Sequence, residues 1–391
     1  MHSSQRLQLP SVKIVFTFIV VLLPLHSRAA PPEAPEVRVA RDLLALPEEK
    51  LNIGEAALKL GATVDGDTDL AEGLRIVDAL ATRVQVLVSN RTDADYRIRA
   101  TNQVLFRVAG YTYDKEDPLG ARLDASSLWR LLRTKKGNCV SLPILWYAVA
   151  ERLGYPVKMV EAPQHFFLRY ESGDDRSNIE ATSNGAEASD ERIVRELSVT
   201  PKALKTGAMM RSLTKRELLG ALIAETAARQ LRDWNIGLGA QLSELALKAY
   251  PNSIAAHWNL AIAYNHRASM RNALRTPGEV DVPGGKVQAK EDTRAALAHA
   301  EEATRLGAPA PLTRDYWTRV SSIGGTEVGG TRPTPKPFDV ASLLRPGGQS
   351  IQLTLDAPPA LLESARRDPG SCMRICANLC GPSPGNRCAN F

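Results

Sequence analysis

Apolar residues recur along most of this chain at the spacing of amphipathic helices, and one short central stretch breaks that rhythm. VARDLLALPEEK, LNIGEAALKLGA, DLAEGLRIVDALATRVQVLV and ADYRIRATNQVLFRVAGYTYD read as successive helices. The loop DKEDPLGARLDAS carries Pro118 and Gly120, and SSLWRLLRTKKGN leads from it into ILWYAVAERLG, a buried helix that stops at Gly154. Beyond Pro156 the period falls to two, and VKMVEA, HFFLRYE and NIEAT alternate as strands. That alternation puts His165, Phe167 and Arg169 on one face and Phe166, Leu168 and Tyr170 on the other. On the next strand Asn178, Glu180 and Thr182 share a face. Residues 216–320 are rich in alanine and leucine and helical again. The order predicts an α+β core followed by an all-α region.

Within the helical region, LSELALKAYPNSIAAHWNLAIAYNHRA resembles a tetratricopeptide repeat junction. RAALAHAEEATRLGAPAP then reads as the second helix of a further repeat, after a polar insertion over residues 271–292. A generic helical bundle is the alternative. At repeat spacing Trp258 and Tyr264 pack between helices; with Asn259 they are otherwise candidates to line a groove for a protein or peptide partner. Residues 321–350 are rich in Gly, Pro and Thr and read as a linker. The expected organisation is a signal peptide at 1–29, the α+β core with its N-terminal helices at 30–205, helical repeats at 206–320, the linker, and a cysteine-rich tail at 351–391.

The signal peptide rests on Arg6 and Lys13, the apolar run IVFTFIVVLLPL, and the small residues of SRAA before a cut after Ala29. The run falls short of the roughly 20 apolar residues that span a bilayer, so a periplasmic or secreted protein without a stable membrane anchor is expected. Removal of Arg6, Lys13 and Arg28 lowers the formal charge from +6 to +3. No basic block interleaves with aromatics, so nucleic acid is not an expected partner.

Five cysteines make an odd count, and export turns that parity into chemistry. Cys372, Cys376, Cys380 and Cys388 crowd into the tail, where two disulfides in any of three connectivities are expected. Cys139 is left over, in KKGNCVSLPILWYAVAERLG, at the predicted start of a helix. A thiol with an ordinary pKa of about 8.5 needs help to ionise at neutral pH. Gly137 and Asn138 supply a helix stop and cap, which points the positive end of the helix at the sulfur. Lys135 and Lys136 stand just upstream, and Pro143 suggests a tightened first turn. His165, in PQHFFLRY, is a base that could pair with the thiol. A hairpin turning at Ser172–Gly173 would set Glu180 directly opposite it, as the orienting acid. An odd slip in register would separate the two side chains. Each residue also has a plainer role: a small hydrophobe, a satisfied core histidine, or one of three separated zinc ligands.

Read together, NQVLFRVAGY, the DPLG loop, RTKKGNCVSLPILWYAVAERLGYPV, APQHFFLRY and NIEATSNG resemble the transglutaminase-like superfamily, in the bacterial branch called SirB-type. The resemblance covers about a third of the chain. It implies a papain-like core in which a cysteine at a helix start faces a histidine and an acid on adjacent strands. Carried across, Cys139 is the nucleophile, His165 the base and Glu180 the orienting acid, in a cysteine hydrolase or acyl-transferase that needs no cofactor or metal. The superfamily's third member is usually aspartate, and Glu180 is a longer arm at that position. Some SirB-type relatives have lost the cysteine, and this chain keeps all three residue types. The backbone N–H of Cys139 is the natural first oxyanion donor, with Trp129 and Asn138 as candidates for the second. The competing expectation is a non-catalytic scaffold that binds peptides through its helical repeats.

Overall fold

The computed structural model describes residues 33–308 apart from 67, 118–121, 123, 174 and 274–284. The expected signal peptide, the linker, and the tail with Cys372, Cys376, Cys380 and Cys388 lie outside the described residues.

Polar side chains open the N-terminal helices just ahead of their apolar runs. Helix α1 spans Pro35–Ala45, with Pro at its first turn. Asn52 caps α2 (Ile53–Asp65), Asp69 caps α3 (Leu70–Val88) and Asp93 caps α4 (Ala94–Asn102), each by accepting from backbone N–H groups of the first turn. Helix α4 continues as a single π-helical segment, Gln103–Val108. A two-residue strand β1 (Thr112–Tyr113) pairs in parallel with β2 (Lys136–Gly137), and α5 (Leu128–Thr134) lies between them in sequence. Helix α6 (Ser141–Arg152) follows, buried on every side from Ser141 to Ala150.

The three predicted strands, β3 (Val157–Ala162), β4 (His165–Ser172) and β5 (Asp175–Glu180), form an antiparallel sheet with a fourth, two-residue strand that was not expected, β6 (Ala186–Glu187), in that spatial order. The two-residue period holds on β4. Phe166, Leu168 and Tyr170 join the core built around α6 and the N-terminal helices. Phe167 faces a second apolar cluster, and Arg169 on the same side pairs with Asp190 and Asn178. That second cluster draws on α7 (Asp190–Glu196), α8 (Pro201–Thr206) and residues 208–210, together with Ile254, Ala303 and Leu306 from the later helices. The open edge of β3 is covered as well: Met210 and Leu213 donate backbone N–H to the carbonyls of Glu161 and Met159. The segment between sheet and helices is therefore scaffolding, which buries the sheet's second face and protects its edge.

Helix α9 (Lys215–Arg232) begins with a reciprocal capping box between Thr214 and Glu217. It packs on α10 (Ile236–Ala249), which packs on α11 (Ile254–Ala273), which packs on α12 (Gly285–Leu306). The insertion expected over 271–292 is shorter than the sequence suggests, because α11 runs to Ala273 and the chain is helical again from Gly285. Trp258 packs against the second cluster, the buried Asn259 donates to the Ala224 carbonyl, and the Tyr264 hydroxyl donates to Glu244. All three side chains tie helices together. The main core runs without a break from α1 through α6 and the sheet into α9 and α10. Its seam includes a buried ion pair between Arg229 and Asp65, at 2.8 Å.

Candidate active site

Cys139 lies two residues before α6. The Asn138 carboxamide makes that helix start, since its Oδ1 accepts from the N–H groups of Val140 and Ser141, at 2.9 and 3.1 Å. The expected cap is present, and it consumes two of the helix's first donors, so what favours anionic sulfur is the dipole end rather than those N–H groups. Pro143 falls in the first turn, where a missing N–H costs no helical bond. The two lysines also serve elsewhere. Lys135 donates to the Tyr111 hydroxyl at 2.9 Å and lies over its ring, while Lys136 pairs with Glu116 at 2.7 Å.

The partly exposed Cys139 thiol reaches the β3–β4 turn, where Sγ sits 3.6 Å from the carbonyl oxygen of Gln164. His165 is the next residue, the first of β4, and is buried. Its Nε2 lies 2.6 Å from Glu180 Oε2. A carboxylate accepts, so Nε2 carries the hydrogen, and Nδ1 is the nitrogen at which neutral His165 takes up a proton. The structure thus joins His165 directly to Glu180 and brings Cys139 to the residue preceding the histidine.

The contact between His165 and Glu180 is diagonal. Ser172 pairs with Asp175 and Leu168 with Ile179, so the hairpin turns after Ser172, one residue later than expected. Gly173 takes φ +61°, a conformation that glycine adopts without strain. The register is displaced by two, and an even displacement keeps both side chains on their predicted face. Diagonal neighbours on a sheet lie about 7–8 Å apart, a gap that the extra methylene of glutamate helps to close. The departure from aspartate therefore has a structural reason.

Glu180 is itself held. Its Oε1 accepts from the Thr182 N–H at 3.2 Å and the Thr182 hydroxyl at 2.6 Å, in the 3-10 turn Ala181–Ser183. Gly185 closes that turn by donating to the Glu180 carbonyl. Asn102, in the last turn of α4, donates to the Gly185 carbonyl and accepts from the Trp146 indole of α6. Gly185 has φ +79°, and a Cβ there would run into the Asn102 amide. Sequence reasoning placed Thr182 on the strand beside Glu180, whereas the strand ends at Glu180 and Thr182 lies in the 3-10 turn, and it missed Asn102. The available signal was the Glu-Ala-Thr spacing, which lets a carboxylate cap the turn that follows it.

Both candidates for the second oxyanion donor are committed elsewhere. The Trp129 indole donates to the Leu58 carbonyl at 3.0 Å, deep in the core, and Asn138 Nδ2 donates to the Ser126 hydroxyl at 3.2 Å. Among the described residues no group of three His, Cys, Asp or Glu side chains is placed to hold a metal ion.

The family model of the transglutaminase-like superfamily matches residues 72–223, from α3 into α9, and this span contains Cys139, His165 and Glu180. Two relatives from Xylella fastidiosa, each called UPF0162 protein, align with the chain. The one from strain 9a5c is 25% identical over 186 residues, covering 46% of this chain and 66% of the relative. The one from strain Temecula1 / ATCC 700964 is 24% identical over 188 residues, with the same coverage. The chain thus spans just under two thirds of the length of these relatives. Among solved structures, a crystal structure of menin that reveals its binding site for the Mixed Lineage Leukemia protein is similar at a TM-score of 0.37 and 15% identity. That match covers 74% of this chain and 68% of menin.

Proposed function

We propose that the transglutaminase-like domain at residues 72–223 works as a cysteine hydrolase or acyl-transferase on amide or ester bonds, with Cys139 as nucleophile, His165 as base and Glu180 as its orienting acid. The observation that carries this reading is the Cys139 sulfur beside the turn that begins His165, whose ring is held 2.6 Å from Glu180. His165 Nδ1 takes the thiol proton, and the thiolate attacks the carbonyl carbon of the substrate. The C–N or C–O bond then breaks, and the imidazolium returns its proton to the departing amine or alcohol. Water or a second amine attacks the thioester, giving up a proton to His165 as the C–S bond breaks. Glu180 keeps the ring in the required tautomer throughout and stabilises its charged form. Export to the periplasm or beyond belongs to the same proposal, on the strength of the N-terminal Arg6, Lys13 and apolar run. Helices α9–α12 would be the tetratricopeptide-like part.

Limited iodoacetamide treatment near pH 6, with peptide mass mapping, tests the nucleophile. An activated Cys139 alkylates at least about tenfold faster than a small peptide thiol. A rate no faster than that thiol overturns the reading.

A second reading, a binding scaffold, draws support from one feature of the helical region. A cleft of about 580 Å³ opens at the turn between α9 and α10, lined in part by Arg267, the buried Glu36 and the exposed Trp234. Complementation of a deletion strain by Cys139→Ala separates the two readings. Full rescue supports the scaffold, and loss of rescue by a folded variant supports catalysis.

A further inference from the structure

Gln164 carries two costs that the fold does not explain. It occupies the second position of the two-residue turn Pro163–Gln164, with φ +54°. Left-handed backbone at a residue other than glycine costs on the order of 1 kcal/mol. Glycine or asparagine would serve the turn at less expense. The side-chain oxygen Oε1 is also enclosed by protein and has no hydrogen-bond partner among the described residues. An acceptor buried in this way costs about 1–3 kcal/mol. Both costs fall on the residue whose carbonyl meets the Cys139 sulfur and whose neighbour is His165. The Asn138 side chain, next to the thiol in sequence, is already spent on its helix cap and on Ser126.

We propose that Gln164 is a substrate-binding residue whose Oε1 accepts a hydrogen bond from an N–H next to the carbonyl that Cys139 attacks, so that the substrate is a peptide-like amide. The inference rests on Cys139 being the nucleophile and narrows the substrate class. A neutral acceptor is completed by a neutral donor. An amide N–H fits, whereas a simple ester brings no donor and leaves the oxygen enclosed, and a carboxylate adds repulsion between lone pairs. Discrimination of this kind is strong because the wrong ligand leaves a buried polar group unmatched.

The test uses the full-length protein and two alkylating probes, iodoacetamide and N,N-dimethyl-iodoacetamide, which differ in the N–H groups near the attacked carbon. In each reaction an S–C bond forms and iodide leaves. Each Cys139 rate is divided by the rate of glutathione with the same probe, which removes the intrinsic difference between the electrophiles. One hydrogen bond corresponds to a preference of about tenfold for iodoacetamide in the wild-type protein. Gln164→Leu, close in size and without an acceptor, should bring the ratio to about one. Gln164→Gly gives the same readout in a backbone that suits φ +54°, so a folding defect in the leucine variant does not decide the matter. A wild-type ratio near one, or a preference that survives in Gln164→Gly, overturns the proposal. The ratio is measurable whatever the absolute reactivity. A slow Cys139 therefore counts against the nucleophile, and an unchanged ratio counts against Gln164.

Discussion

Glu161 offers the sharpest quantitative test of how the four-stranded sheet is joined to the helices behind it. It lies on β3, pairs with Phe166 of β4, and accepts the Met210 N–H at its backbone carbonyl. Its buried side chain faces Tyr250, at the junction of α10 and α11, with Glu225 of α9 and Arg211 close by. Burial pushes this carboxyl up to about 8; the Tyr250 hydroxyl and Arg211 draw it down, and the Glu225 charge raises it further. The folded protein thus keeps a proton that the unfolded chain, at the ordinary value of 4.5, gives up. With more protons bound in the native state, stability is fully present below about pH 4.5 and falls as pH rises toward 8. Each pH unit inside that window costs close to 1.4 kcal/mol, and allowing for partial titration near 8 the loss between about pH 6 and pH 8 comes to about 2 kcal/mol. Glu161→Gln keeps the shape and a polar end but has no proton to lose. Urea unfolding followed by tryptophan fluorescence near pH 6 and near pH 8 should show the variant gaining about 2 kcal/mol on the wild type across the interval. At a urea slope of about 2–3 kcal/mol per molar, that is a relative midpoint shift of roughly 1 M. A difference between the two proteins that stays within about 0.5 kcal/mol at both pH values refutes the reasoning.

Two further substitutions examine the support of the site. Thr182→Val removes the hydroxyl's hydrogen bond to Glu180 Oε1 and leaves the one from the backbone N–H. It should slow Cys139 alkylation near pH 6 by about tenfold, whereas Thr182→Ser, which keeps the hydroxyl, restores most of the rate; equal rates in the valine and serine variants would show that Thr182 does not position the acid. Gly185→Ala drives a Cβ into the Asn102 amide at φ +79° and should cost about 1–3 kcal/mol in thermal or urea unfolding, while an unperturbed midpoint would refute the close approach of α4 to the Glu180 turn.

Much of the site could be read along the chain because it depends on local rules. The strand period sets which residues share a face, so His165 with Phe167 and Glu180 with Asn178 follow from order alone. The helix start at Cys139 follows from an asparagine preceding a long apolar run, which caps wherever it occurs. Transglutaminase-like motifs spread over a third of the chain carried the family resemblance for the same reason.

Tertiary structure decided what connects residues far apart in sequence. The hairpin could turn at either of two neighbouring places, and pairing across it made His165 and Glu180 diagonal rather than opposed. Lys135 was as available to the thiol as to Tyr111 until the Tyr111 ring packed beneath it, and Trp129 lost its place as an oxyanion donor to a carbonyl 71 residues away. Gln164 shows the limit most plainly. Nothing in PQH distinguishes an amide that finds a partner from one that does not, since enclosure is a property of everything packed around it. Face and cap are set by the backbone's own geometry over a few residues. Partners are set by which surfaces meet once the core has closed.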